Sequence, residues 1–383
     1  MPFDVSIVPC ESYEAGVCRA ALEQVLAPLG GLDWVTPGMK IAMKVNLVAA
    51  LRPEQAATTN PVLLCELTKM LVERGADVVL GDSPGGVYNA AYLNHVYDTT
   101  GMRACEEAGA SLNQNFAQKH GENPGAKQAK TFQYTAWLDD ADAIIDFCKL
   151  KTHGQMGMTC AVKNFFGTIP GTMKPEYHYK YVNSDDFANM LVDLYEYFQP
   201  RLCICDAVIG MEGNGPTMGK PRHIGALLAS TSGHLLDLAG AKLLGYQPTE
   251  IPTLAAAIER GICVPSLDQV VVAGDLDAFV LSNVQKTPAQ QTVYSITGVD
   301  NLLARAVDHV LHTFLTPFPK LYAQSCIGCG KCAEICPAKV ITMENKLPHI
   351  NRSKCIHCFC CQEFCPKGAM RVGRSAIARL LNK

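Results

Sequence analysis

Two stretches near the C-terminus carry the same arrangement of cysteines, Cys326-x2-Cys329-x2-Cys332-x3-Cys336-Pro337 and Cys355-x2-Cys358-x2-Cys361-x3-Cys365-Pro366. A [4Fe-4S] cubane needs four thiolates converging on four iron corners. Three cysteines separated by two residues wrap three corners in one tight loop, while the fourth cannot fold back and ligates the neighbouring cluster. The doubled spacing therefore predicts two [4Fe-4S] clusters, one on Cys326, Cys329, Cys332 and Cys365, the other on Cys355, Cys358, Cys361 and Cys336. Each closing proline removes a backbone donor and fixes φ. A pair of zinc ribbons also uses CxxC units. Such a site is complete with four ligands, which leaves the third cysteine of each run without a role. Cys360, beside Cys361, breaks the spacing and reads as a free thiol.

The cysteine module is a small part of 383 residues, so the chain has room for two or three domains. Of eighteen cysteines, eight belong to the runs and ten are scattered without a paired framework. Reduced thiols and oxygen-sensitive clusters point to a reducing cytoplasm. The N-terminus, MPFDVSIVPCES, lacks the basic and long apolar regions of a signal peptide. Ile224 to Leu244 is apolar but interrupted by Ser230, Thr231, Ser232, His234 and Asp237, and reads as a strand and a buried helix with no membrane span.

Charge is unevenly placed. From Ala323 onward there are ten Lys and Arg against three Glu, a local +7, so the remainder carries −10 of the overall −3. Two oxidised four-thiolate clusters, each roughly −2, cancel more than half of that positive charge. Nucleic acid is therefore excluded as a partner, while an acidic electron donor such as ferredoxin or flavodoxin fits by complementarity.

Before Ala323 short apolar runs alternate with amphipathic stretches, the pattern of an α/β domain with a largely parallel sheet. Strands are predicted at Val5 to Val8, Lys40 to Leu47, Asp77 to Asp82, Ala143 to Cys148, Leu202 to Val208, Gly225 to Ser230 and Gln269 to Gly274. Helices are predicted at Tyr13 to Leu26, Pro61 to Arg74, Thr100 to Ala108, Asp185 to Phe198, Gly233 to Leu244, Thr253 to Arg260 and Val299 to Leu311. Gln118 to Thr131 reads as a mobile loop or β-insertion. The expected organisation is an α/β domain over 1–275, a connector over 276–322, a bacterial-type dicluster ferredoxin domain over 323–370 and a basic tail over 371–383.

Open α/β sheets bind ligands beyond the carboxyl ends of their strands. The polar residues there are Lys44 and Asn46, Asp82 in DSPGG, Lys149 to Gly154 leading to Lys163 and Asn164, and Glu212 and Asn214 in GMEGNGP. His153, Lys151, Lys163 and Glu212 are the candidate catalytic residues, with His153 as proton donor. Lys44, Asn46, Asp82, Asn164, His178 and Asn214 are candidate substrate contacts, the lysines suiting a small anionic substrate. The bland readings are a structural His153, a capping Asp82, a turn for Glu212 and a lid or surface loop around His178. No motif for NAD, FAD or ATP is present: Gly213-x-Gly215-x3-Gly219 has one residue too many, and GxxxxGK[ST] is absent.

The segments KVNL (Lys44 to Leu47), GDSPGG (Gly81 to Gly86), KLKTHGQMGMTCAVKNFFGTIPG (Lys149 to Gly171), GMEGNGP (Gly210 to Pro216) and CIHCFCCQEFCP (Cys355 to Pro366) together resemble the DUF362 family with a C-terminal dicluster ferredoxin module. The doubled Cys360-Cys361 is similar to that family's second cysteine run. The resemblance implies an iron-sulfur redox protein and leaves the substrate open. Two functions follow: a reductase whose clusters relay low-potential electrons to a substrate in the α/β cleft, or an accessory protein that delivers electrons to, or matures, a partner metalloenzyme.

Overall fold

A computed structural model describes residues 3–287, 317–373 and 375. In chain order the first part comprises β1 (Val5–Pro9), α1 (Ala15–Leu26), β2 (Lys40–Val45), α2 (Pro61–Val72), β3 (Asp77–Gly81), α3 (Ala90–Thr100), α4 (Ala104–Glu107) and β4 (Ser111–Leu112). The hairpin of β5 (Gln118–Glu122) and β6 (Thr131–Thr135) follows, then β7 (Ala143–His153), β8 (Gly157–Thr159), α5 (Ala161–Asn164), α6 (Lys174–Lys180) and α7 (Ser184–Phe198). The domain closes with β9 (Leu202–Glu212), β10 (Lys220–Ser230), α8 (Gly233–Leu243), α9 (Pro252–Glu259) and β11 (Val272–Ala273).

The main sheet runs in the order β11-β1-β10-β9-β7-β2-β3-β4, with β8 folded back on β7. β9, β7, β2, β3 and β4 are parallel, whereas β10 is antiparallel to both β1 and β9. The sheet is thus largely parallel, with an antiparallel portion at β10. Successive residues of a strand face opposite sides, and this sheet is buried on both. Ile145 and Phe147 of β7 join the core under α1 and α2, while Cys148 and Leu150 join the core under α7 and α8. Continuous apolar runs in β7 and β9 are the sequence mark of that double coverage.

Several elements differ from the predicted ones. β7, β9 and β10 are longer, because β9 and β10 continue as an antiparallel pair and β7 turns back into β8. The helix predicted at Thr100 to Ala108 shrinks to the short α4, and the longer α3 before it, ended by Gly101 at a φ of +76°, was not predicted. His178 lies in α6, which starts with Pro175 in its first turn, instead of in a loop. The insertion at 118–131 is a β-hairpin. The helix predicted at Val299 to Leu311 and nearly all of the basic tail lie outside the described residues.

The C-terminal module consists of two antiparallel pairs, Phe318–Leu321 with Met370–Gly373 and Ile341–Glu344 with Leu347–Ile350. The short helices Lys331–Glu334 and Cys360–Glu363 occupy matching places in the two cysteine runs. The module docks over the carboxyl ends of the sheet strands. Gln362 Nε2 donates to the carbonyl oxygens of Asn214 (3.0 Å) and Gly215 (3.2 Å), and the Val372 N–H donates to Asn214 Oδ1 (3.0 Å). Gly154 and Gly85 admit Val372 and Phe364 at distances a Cβ would close to about van der Waals overlap.

Candidate active-site cavity and cluster ligands

β2 lies between β3 and β7, and the chain leaves it toward β3 and returns later to β7. That makes the β2–β7 crevice a switch point where an open α/β sheet offers a ligand site. Lys44, Asp82 and Lys149 through His153 all come from the carboxyl ends of these strands. Lys149, Lys151 and His153 share one face of β7 because side chains alternate.

The buried lysines fall into two groups. Lys44 Nζ pairs with Asp82 Oδ1 at 3.0 Å, and Lys149 Nζ pairs with Asp206 Oδ2 at 2.7 Å. Asp82 Oδ2 also accepts from the Leu47 N–H at 2.6 Å, so its carboxylate is committed to the scaffold and caps no helix. Lys151, Lys163 and Lys174 have no carboxylate within ion-pair distance among the described residues. Lys151 Nζ donates to Asn46 Oδ1 (2.8 Å) and the Ala57 carbonyl (2.6 Å). Asn46 donates to Asn164 Oδ1, and Asn164 donates to Asp146, fixing the two amides as a relay between β2 and α5. Lys163 and Lys174 lie 5.6 and 5.5 Å from the Phe166 ring centroid, and Lys174 Nζ donates to the Ser83 carbonyl.

Burial disfavours these ammonium ions. It pushes Lys151 down to about 7 and Lys174 down to about 8, and lowers Lys163, whose ammonium adds to the depression at Lys151. Burial thus gathers three lysine amines whose charged form is disfavoured into one region.

They border a cavity of about 800 Å³ between the α/β domain and the C-terminal module. Asn46, Asp82, Lys151, Lys163, Asn164 and His178 of the candidate residues reach it. His178 is only 2% exposed, stacks on Phe187 at 4.5 Å, and leaves Nδ1 without a hydrogen-bond partner. Burial lowers it to about 3, so its imidazole is neutral. Missed by sequence reasoning were Lys174, Phe166 and the contribution of the module itself: Glu363, Phe364 and Cys365 form the opposite wall. Charge at Lys174 was visible, but its approach to the site depends on the turn at Gly171, which has no Cβ to strike the backbone of Pro84 and Gly86.

The remaining candidates lie outside the cavity lining. His153 is fully buried behind Glu363. Its Nδ1 accepts the N–H groups of Gln155 and Met156, so the neutral ring carries its proton on Nε2, 3.0 Å from Glu363 Oε1. Burial and Lys163 hold His153 down at about 4, and it does not line the cavity. Glu212 is bound by the Gln285 N–H at 3.3 Å and lies 3.9 Å from Arg222, away from the lysines. Asn214 anchors the module and does not line this cavity. Lys44 stays behind Asp82.

The cysteines gather as the spacing requires. One small apolar cavity is lined together by Cys326, Cys329, Cys332 and Cys365, the crossed set. Cys336 sits within electrostatic reach of Cys355 and Cys361. All eight are free thiols, and apolar residues such as Met370 and Ile341 surround them. Two converging four-thiol sets in an apolar shell fit two cubanes. Cys365 borders both the first set and the lysine cavity. Cys360 is fully buried at the second run.

A family model described as a domain of unknown function (DUF362) matches residues 41–242, and one described as a 4Fe-4S dicluster domain matches 319–366. A thylakoid-associated protein of Synechocystis sp. (strain PCC 6803) is 34% identical over 269 residues, which is 67% of this chain and 79% of that protein. Among solved structures, the lactate racemase apoprotein from Thermoanaerobacterium thermosaccharolyticum aligns with a TM-score of 0.40 at 12% identity. That alignment covers 63% of this chain and 57% of the racemase chain, a little over half its length.

Proposed function

The chain belongs to the DUF362 family, and on that footing we propose that it is an iron-sulfur reductase acting on a small organic anion bound between its two domains. The 4Fe-4S dicluster domain gives it an iron-sulfur electron-transfer role. The observation that carries the finer reading is the position of Cys365, which belongs to one four-thiol set and also borders the cavity that holds Lys163, Lys174 and His178.

When bound, two clusters supply electrons one at a time. The protein's residues do the rest. Lys163 and Lys174 hold the anion against Phe166, and Lys151 and Lys174, with values of about 7 and 8, retain transferable protons near neutral pH. Phe364 of the docked module lines the charged pocket, and its low polarity strengthens the electrostatics there. His153 and Glu363 keep the module seated.

Electron entry is assigned to the exposed edge of the first four-thiol set, where Cys329 is exposed and Ile327 is 60% exposed. An acidic one-electron carrier, ferredoxin or flavodoxin, suits this apolar spot with Lys346 packed beside Gly328. The accessory reading draws on the same exposed edge, with a metalloenzyme in place of the donor. No helix among the described residues is long and apolar enough to cross a membrane. The thiol content favours the cytoplasm, and the thylakoid association of the Synechocystis relative adds a membrane face as a place of work.

The deciding experiment reduces the chain anaerobically and offers a panel of small carboxylates and phosphorylated compounds. A reductase is reoxidised with turnover by some member, and Lys163→Ala slows this while the cluster spectrum is unchanged. Reoxidation only by an added protein supports the accessory reading instead.

A further inference from the structure

We propose that Cys148, Cys160 and Cys205 form a further metal site, enclosed in the α/β core, for one thiophilic closed-shell ion, zinc(II) or copper(I). The three Sγ atoms lie within 4.8 Å of one another. Cys148 and Cys160 are 3.6 Å apart, and Cys160 and Cys205 3.4 Å.

They arrive from three places. Cys148 of β7 is the cross-strand partner of Cys205 of β9, and Cys160 immediately precedes α5. Their exposures are 0%, 1% and 0%. A single buried cysteine is an ordinary small apolar residue, whereas three sulfurs converging from three separate elements present a soft ligand set.

Asp237 of α8, 1% exposed, lies against Cys160. Its side chain accepts the N–H groups of Ala161 (2.6 Å) and Val162 (3.3 Å), which fixes the turn that holds Cys160 beside the other two sulfurs.

The geometry is close to that required. A metal–sulfur bond of about 2.3 Å sets the sulfurs of a trigonal or tetrahedral site about 3.8–4.0 Å apart. The two pairs that share Cys160 have to open by only a few tenths of an ångström. Thiolates select soft ions over calcium or magnesium. With every ligand buried, the ion enters as the chain folds and its binding contributes to folding. This site stands apart from the lysine cavity and does not depend on the reductase reading.

The test is elemental analysis of the whole chain, produced in zinc- or copper-supplemented medium and purified anaerobically with its clusters. About one zinc or one copper per chain is expected beside the cluster iron. X-ray absorption at that metal's edge should show three sulfur neighbours at about 2.3 Å. Cys205→Ser should lose this metal and keep wild-type iron. Wild-type protein containing neither metal under both supplements overturns the proposal, as does a metal that persists in Cys205→Ser. Should that variant fail to fold, the wild-type stoichiometry and sulfur count decide: fewer than three sulfurs overturns it.

Discussion

His153 Nε2 stands 3.0 Å from Glu363 Oε1, so the last residue of a sheet strand touches the short helix inside the second cysteine run. Glu363 is held at about 2: burial alone would raise it, and the His153 hydrogen bond together with nearby positive charge outweighs that effect. An ionised Glu363 therefore lies beside a neutral imidazole across the domain boundary. Losing a close polar contact to a buried charge costs about 2 kcal/mol. His153→Ala should speed amide exchange at Val372, which bonds to Asn214, by about an order of magnitude or more. Glu363→Gln keeps an acceptor for Nε2–H and should change it far less. Equal protection in wild type and His153→Ala would remove this contact from the docking.

Gly167 exposes how tightly α5 and its following turn press on the site. A Cβ there would run into Asp82 Oδ1 and Lys44 Nζ. Gly167→Ala must separate a buried ion pair and should destabilise the protein by about 3 kcal/mol or more. Gly16 in α1 has open space within 4 Å of where a methyl would sit, so Gly16→Ala should be neutral or stabilising by about 0.5 kcal/mol. Thermal denaturation of both variants checks the contrast.

Anion binding should weaken as pH rises. Lys151 and Lys174 are cationic below about 7 and about 8, respectively, and lose charge above those values. Sulfate does not titrate in this range and serves as a probe. Its affinity, measured by calorimetry, should be highest at about pH 6 and fall by up to about tenfold per pH unit for each lysine that deprotonates. Lys174→Ala should flatten the upper part of the profile. A flat wild-type profile would place the anion elsewhere.

The crossed cysteine sets make a compositional prediction. Iron and sulfide should each be about eight per chain, from two cubanes. Cys365→Ala should damage the cluster of the first run and Cys336→Ala that of the second, although each residue lies in the other run. Stoichiometric zinc in the ferredoxin module, or damage confined to each cysteine's own run, would contradict the crossed assignment.

The sheet strands and the 4Fe-4S dicluster module were legible because their signals are local. Short apolar runs mark β1, β2 and β3, and the cysteine spacing alone sorts eight thiols into two sets. The cavity was half legible: Lys151, Lys163, Asn46 and Asn164 follow strand ends, and they do converge. Lys174 was obscured because α6 is a single short helix whose residues read as a polar loop, the loop in which His178 was expected. Glu363 and Phe364 could not be placed from sequence, since their role depends on docking contacts such as that between Gln362 and Asn214, 148 residues apart, and no local pattern encodes it. Glu212 misled for a related reason: the glycines around it looked like a ligand loop, while β9 carries it past the crevice to Arg222.

Electrons held by the cysteine module should reach an anion in the lysine cavity. This transfer is tested most directly by mixing fully reduced chain, carrying one electron on each of two clusters, with an excess of the active anion in a single anaerobic turnover. Two electrons give one two-electron product, so the expected result is about one product per chain as both clusters reoxidise, with the rate lowered in a Lys163→Ala, Lys174→Ala double variant of unchanged cluster content. Clusters that stay reduced with every anion, or that reoxidise at the same rate in the double variant, would contradict it.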